Sequence, residues 1–325
     1  MNPMIQKQKG VALIIVLMVV ALVAVLATEM GSRLQLNIKR AANIKDNNQA
    51  YWYALGAEQY AKSAITKLMK ENNNIIAEGQ GWTEPLTYPV EGGVIEVTLS
   101  DARACFNMNA LRASNPNDAA HLEVKTAFKN LLANRKFEID NYAQDVVTDS
   151  LADWLDEDSN IRNYGAEDSD YESMLPPYLP ANNLMMTKSE FRLINGVKPN
   201  WAVNVMPFLC VIPNEEKLKI NINTLSKDDA LLLAALTNLS EGDAARIINS
   251  RPQDGYDDKG KFLAEQEIQA LNLSAAKQDW FDITTDHFIL DTKSVYNNAT
   301  FRMRSLLKLD NNKVKVIRRE FGGAY

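Results

Sequence analysis

Eight carboxylates, Asp153, Asp156, Glu157, Asp158, Glu167, Asp168, Asp170 and Glu172, crowd into twenty residues of this 325-residue chain, with Arg162 the one cation among them. Carboxylates at that density repel one another unless water or a cation screens them. Hard oxygen donors at short spacing suit Ca2+. Asp156, Asp158 and Asn160 fall at positions one, three and five of a twelve-residue helix–loop–helix calcium loop, and Glu167 falls at position twelve. Ile161 stands at position six, where such loops turn on glycine, so the register is incomplete. A solvated acidic loop is the competing reading. Trp154, Tyr164, Tyr171 and Tyr178, with Pro176 and Pro177, interleave the acids and favour an ordered segment. The expectation is that Asp153, Asp156, Asp158, Asn160, Glu167, Asp168 and Asp170 supply Ca2+ ligands, and that the metal orders a long loop without catalysing anything.

Other patterns carry less chemistry. Gly255 to Lys261 spells Gly-x-x-x-x-Gly-Lys, but Phe262 replaces the hydroxyl residue that would hold Mg2+, and Asp257 and Asp258 would repel a phosphate. Ile220 to Arg251 resembles a helix-hairpin-helix module with only Gly242 of its usual glycines and no cationic surplus, so a structural use is expected. No two carboxylates are placed across a cleft by any pattern, no Gly-x-Ser-x-Gly occurs, and the two histidines are His121 and His287. The net charge of −6 argues against binding built on phosphate neutralisation. A non-enzymatic protein with no nucleic-acid partner is expected.

The elements that must position the acidic loop begin with an apolar run. Val11 to Ala27 is seventeen residues without a polar side chain, and with Thr28 to Met30 it reaches the length of a membrane-spanning helix. Lys7 and Lys9 precede it, which holds that end in the cytoplasm and sends the rest outward. Three fates fit the segment. It is a signal peptide cut before Thr28, an uncleaved anchor, or a leader cut between Gly10 and Val11 that leaves the helix on the mature protein. Helical pattern continues to about Glu71, with Ala54, Ala57, Ala61, Ala64 and Leu68 as an apolar stripe and Asn72 to Asn74 as the stop. An exported chain with two cysteines, Cys105 and Cys210, and no spare suits one disulfide, the alternative being two buried thiols.

Strand pattern occupies residues 81–106, turned at Val90-Glu91-Gly92-Gly93, and returns from His287 to Phe321. Between them the pattern is helical, with candidate helices at Ala119–Asn134, Asp140–Asp156, Thr187–Ile194, Lys227–Leu236, Gly242–Asn249 and Leu263–Leu271. The simplest topology pairs the early hairpin with the late strands and hangs the helical block from that sheet.

The Gly10 leader, the long helix, the Cys105-Phe106-Asn107-Met108-Asn109-Ala110-Leu111 segment, the Asp-rich insertion and Ile220-Asn221-Ile222-Asn223-Thr224-Leu225 together resemble the minor pseudopilin K family of type II secretion systems. The resemblance implies an α+β pilin-like fold with a long N-terminal helix on an antiparallel sheet and a large all-α insertion. It implies a leader at 1–10, a transmembrane part at 11–32, helix and first strands of the head at 33–106, the insertion at 107–283 and closing strands at 284–325. Prepilin peptidase would cut after Gly10 and methylate Val11. The subunit would sit in the inner membrane of a Gram-negative bacterium with its head in the periplasm. It would cap the pseudopilus tip with minor pseudopilins I and J above the major pseudopilin, meeting the secretin or a secreted substrate. The resemblance also implies calcium near Gly165-Ala166-Glu167-Asp168. Most pilins carry Glu at the fifth mature position; here Ile15 stands there, which suits a subunit with no neighbour ahead of it. A membrane-anchored periplasmic calcium-binding module outside the pilin system is the other reading.

Overall fold

The computed structural model describes residues 10–113, 115 and 117–322; Met1 to Lys9, including Lys7 and Lys9, lie outside the described residues. Helix α1 runs from Val11 to Glu71 without a break. Its apolar first part contains a window of mean hydropathy 3.2 that buries nothing, long enough to cross a bilayer. Residues 11–45 are exposed on every side. Packing begins at Ala50 and continues through Ala54, Glu58, Ala61, Ile65 and Met69. This buried face is offset from the stripe read in the sequence: Ala57 and Leu68 are only half-buried and Ala64 is exposed. The offset has a cause that hydropathy discounts, because the true centre of the face is a carboxylate, Glu58, held by partners on the sheet. Asn72 caps the helix, and Asn73 and Asn74 take the left-handed backbone that asparagine tolerates, so three asparagines end it.

Strands β1 (Leu86–Val90) and β2 (Gly93–Asp101) form the expected hairpin. Two-residue strands follow inside the insertion: β3 (Phe106–Asn107), β4 (Leu209–Cys210), β5 (Ile220–Asn221) and β6 (Phe281–Asp282). The chain closes with β7 (His287–Tyr296), β8 (Ala299–Asp310) and β9 (Lys313–Phe321). The main sheet has order β1-β2-β7-β8-β9 and is antiparallel throughout, with a bulge at Leu306 and Leu307. Glycine is required at the hairpin turn: Gly92 sits at φ 73° against the Tyr296 ring, and a Cβ on Gly93 would strike the Val295 carbonyl at 1.8 Å.

The sheet has two distinguishable ends. Near the β7–β8 turn, Ser294 Oγ donates to Ala50 O at 2.6 Å. At the opposite end Ile65 and Met69 pack with Phe288 and Leu307. The insertion leaves the sheet after Asp101 and re-enters at His287, beside the Asp101–Phe288 pairing. It therefore hangs from the end of the head remote from the apolar segment of α1.

The insertion has its own core, larger than the one under α1. Its main helices are α2 (Ala119–Leu132), α3 (Asn141–Leu155), α4 (Asp168–Glu172), α5 (Pro199–Val205), α6 (Ala230–Thr237) and α7 (Glu241–Ser250). Residues 263–271, read as one helix, break at Ala264 and Glu265 into two short ones, and Lys188–Leu193 is a 3-10 helix. The asparagines of the two segments that carry the resemblance are braces. Asn109 is fully buried; its Oδ1 accepts from Met185 N and its Nδ2 donates to Met185 O and Ile212 O. Asn107 does the same for Ile212 N and Glu215 O. Asn223 closes a two-way bond with the Tyr256 backbone, and Asn221 joins Ile76 O to Asp101.

Candidate functional site

Cys105 and Cys210 are joined in a disulfide with a sequence separation of 105. It lies beside the parallel β3–β4 pair, where Asn107 is in register with Cys210. The bridge ties the start of the insertion to its middle. Asp101 forms a second tie: it accepts from Asn221 Nδ2 at 2.9 Å, Thr224 Oγ1 at 2.7 Å and Arg103 N at 2.7 Å. Burial pushes its pKa up despite those bonds.

The twelve residues 156–167 connect α3 to α4, which is the span the acidic register required. Asp149 and Asp153 stand one turn apart on α3 and both are buried. Asp153 is fully enclosed. Its Oδ2 accepts from Arg162 N at 3.2 Å and Ala166 N at 3.0 Å, and its Oδ1 from Arg162 Nη1 at 2.5 Å. The same Nη1 also bonds Asp156 Oδ2. Asp149 accepts from Tyr164 N at 3.2 Å and pairs with Lys125. Gly165 is needed for this wrap, since a Cβ there would lie 1.7 Å from Asp153 Oδ2.

Several polar atoms in this knot have no partner. Both Oε atoms of Glu167 and Oδ1 of Asp156 are buried without a hydrogen bond, as are Trp154 Nε1 and His121 Nδ1. Burial, then the nearby carboxylates Asp153, Asp156 and Asp168, push Glu167 up to about 7. Burial likewise raises Asp153 and Asp156, against the pull of Arg162. Burial lowers His121.

Of the residues expected to bind a metal, Asp153, Asp156 and Glu167 are buried in this knot. Asp158, Asn160 and Asp168 are exposed on its rim, Asn160 N donating to Asp158 Oδ1 at 2.8 Å. Asp170 is half-buried and accepts from Glu167 N at 3.1 Å. Among the described residues no three His, Cys, Asp or Glu side chains converge closely enough to grip a metal as they stand. Asp149 and the bridging position of Arg162 were not foreseen. Asp149 carries a sequence signal, its spacing of four from Asp153 on one helix face; Arg162 shows only as a countercharge.

The remaining patterns serve the fold. Asp258 caps a short helix at Lys259–Leu263 and accepts from Gly260 N, and Lys261 pairs with Asp257, so the phosphate-loop pattern is self-satisfied. Helices α6 and α7 pack together across a left-handed Asn238. His287 Nδ1 and Asp286 are 2.7 Å apart, and Arg103 Nε donates to the same Asp286 oxygen at 2.7 Å.

Among the described residues one helix is long and apolar enough to cross a membrane; it continues into the spine of an antiparallel sheet with a helical insertion at the far end, the architecture of a pilin-like subunit. Residues 104–214 and 220–284 match the two models for type II secretion system protein K. A type II secretion system protein K of Aeromonas hydrophila is 31% identical over 99% of each chain, and that of Klebsiella pneumoniae is 33% identical over 97% of each. A chain in the solved GspK-GspI-GspJ complex of enterotoxigenic Escherichia coli superposes with TM-score 0.79 at 27% identity, covering 88% of this chain and 100% of that one. The chain belongs to the type II secretion system protein K family, a family of minor pseudopilins.

Proposed function

We propose that this chain caps the tip of the type II secretion pseudopilus and initiates its assembly with minor pseudopilins I and J, as a structural subunit and not an enzyme. The observation that carries this reading is the position of the insertion. A domain of some 185 residues leaves the sheet at the end remote from the apolar helix, so it crowns the head where a further subunit would have to stack. Ile15 supports the same placement, because a tip subunit has no neighbouring amine for a carboxylate to neutralise. An apolar groove between α1 and the β1–β2 hairpin, lined by Gly56, Tyr60, Trp82, Tyr88 and Val97, offers a partner an unpolar face. Cleavage after Gly10, methylation of Val11, residence in the inner membrane with the head in the periplasm, passage onto the major pseudopilin and contact with the secretin or a secreted substrate belong to the same reading.

Calcium is the cofactor proposed for the insertion. The donor set fits it: hard oxygens, a twelve-residue loop between helices, and Glu167 at the last position with both oxygens buried and unpartnered. Asp153, Asp156 and Glu167 would hold the ion from within, with Asp158, Asn160, Asp168 and Asp170 at its rim. A bound calcium supplies positive charge and oxygen coordination there. The chain itself supplies the enclosure, through Gly165, Ala166 N and the aromatic wall of Trp154 and Tyr171, whose rings are 5.4 Å apart.

The test is co-purification of the full chain, in detergent, with co-expressed minor pseudopilins I and J. A stoichiometric three-subunit complex is expected. Assembly of I and J that excludes this chain contradicts the tip assignment.

A further inference from the structure

We infer that Arg162 is a built-in competitor for the divalent cation: its guanidinium holds the place between Asp153 and Asp156 when calcium is absent, and calcium binding turns it out toward solvent. This inference rests on the proposal that the acidic knot binds calcium.

The geometry points to displacement. One nitrogen, Arg162 Nη1, reaches both Asp153 Oδ1 and Asp156 Oδ2, bridging the two carboxylates as a cation would. Yet the bridge leaves the knot short of positive charge. Asp149, Asp153, Asp156 and Glu167 are buried carboxylates, and the cations paired within the knot are Lys125 and Arg162. Full ionisation leaves a deficit of two charges with the guanidinium in place; exchanging it for calcium raises the positive charge in the knot by one and lets the ion reach the oxygens that Arg162 leaves unpartnered. The atoms left without a partner, both Glu167 Oε atoms and Asp156 Oδ1, are acceptors that want a cation.

A guanidinium and a calcium ion cannot share this space. Arginine does not lose its proton in proteins, so its repulsion of a nearby divalent ion is removed only by moving the side chain. The route outward is short. Ile161, Asn163 and Tyr164 are exposed, so the segment carrying Arg162 runs along the surface. The anchors that would remain, Ala166 N donating to Asp153 Oδ2 and Tyr164 N donating to Asp149 Oδ2, run from backbone amides to carboxylates and do not involve the guanidinium. The consequence is an affinity threshold. Calcium must outbid an internal ion pair, so the loop fills only where the free ion is abundant.

The experiment uses the full chain in detergent, stripped with a chelator, and calcium chloride as titrant in calorimetry. Arg162→Gln is expected to bind calcium about tenfold more tightly than the unaltered chain, or more. Arg162→Lys, which keeps the charge, should stay close to the unaltered affinity. A second readout needs no variant: phenylglyoxal modification of Arg162, followed by mass spectrometry, should accelerate when calcium is added. Calcium binding by the unaltered chain, with equal or weaker affinity in Arg162→Gln and no change in labelling, overturns the inference and leaves the calcium reading standing. Binding by Arg162→Gln alone supports it. Absence of binding in both chains overturns the calcium reading and this inference with it.

Discussion

Arg319, on the last strand, forms a bidentate ion pair with Glu58, 261 residues earlier on the first helix: Nε donates to Oε2 at 2.7 Å and Nη2 to Oε1 at 2.8 Å. Ser305 Oγ also donates to Oε2 at 2.8 Å, so a fully buried carboxylate is saturated from two strands. Burial works to raise the Glu58 pKa, and the bonds from Arg319 and Ser305 more than reverse it, leaving it lowered. The pair fixes how α1 lies on the sheet, and so the direction of the anchor relative to the head. Arg319→Ala leaves the buried carboxylate with Ser305 and with Lys62 at 3.5 Å, and is expected to cost about 2 kcal/mol, less than breaking a wholly buried pair because Arg319 is also 38% exposed. Chemical denaturation of the two chains side by side measures this, and an unchanged midpoint contradicts it.

The disulfide closes a loop spanning 105 positions. The chain-entropy estimate for such a loop is ~4–5 kcal/mol, an upper figure. Replacing Cys105 and Cys210 by Ser together should lower the melting temperature of the insertion and make it insensitive to reductant, whereas the unaltered chain loses stability when reduced. Scanning calorimetry with and without reductant distinguishes the two; equal melting of reduced and oxidised chains would contradict the estimate.

Asn109→Ala removes three bonds to buried backbone at Met185 and Ile212. An unsatisfied buried amide costs roughly 1–3 kcal/mol, and two carbonyls lose a donor as well, so a loss of about 2–4 kcal/mol is expected. Asn109→Asp should be no better, because a carboxylate cannot donate to the Met185 carbonyl. A urea series on both variants reads the result.

Asp286 gives a pH signature. Burial alone would raise it, but His287 and Arg103 bring it down to about 2, from an ordinary value of 3.8. A carboxyl lowered by folding stabilises the native state fully above its unfolded pKa, and the contribution fades as pH falls through the folded value. Because the side chain is 39% exposed, screening limits the effect to ~1 kcal/mol. The stability difference between the unaltered chain and Asp286→Asn should therefore shrink as the pH falls between about pH 4 and 2. A difference that grows on acidification would reverse the assignment.

The sequence was legible where periodicity was long and uniform. The Val11–Glu71 helix, the Gly92-Gly93 hairpin and the three closing strands are where patterning put them. Helix α3 and the acidic loop after it were legible for the same reason. What escaped is local or long-range. The short helices from Pro199 and Lys259 are too brief to show a period, while Thr187–Ile194 and Leu263–Leu271 were legible as helical but not as a 3-10 helix and a broken pair. Glu58 is invisible to hydropathy because its partner Arg319 is remote in sequence. Asp149 reads as a solvated helix residue until Tyr164 N and Lys125 are seen to meet it. Asn107, Asn109, Asn221 and Asn223 marked the family, but only the fold reveals that they hold loop backbone in place.

If this chain is handled as a pilin subunit, its mature N-terminus carries the mark of that processing. Membranes from cells containing a prepilin peptidase should yield, by mass spectrometry, a chain beginning at Val11 and carrying one added methyl group. A chain beginning at Thr28 would mark an ordinary secreted protein, and a retained Met1 a plain signal anchor; either result would contradict the pseudopilin assignment.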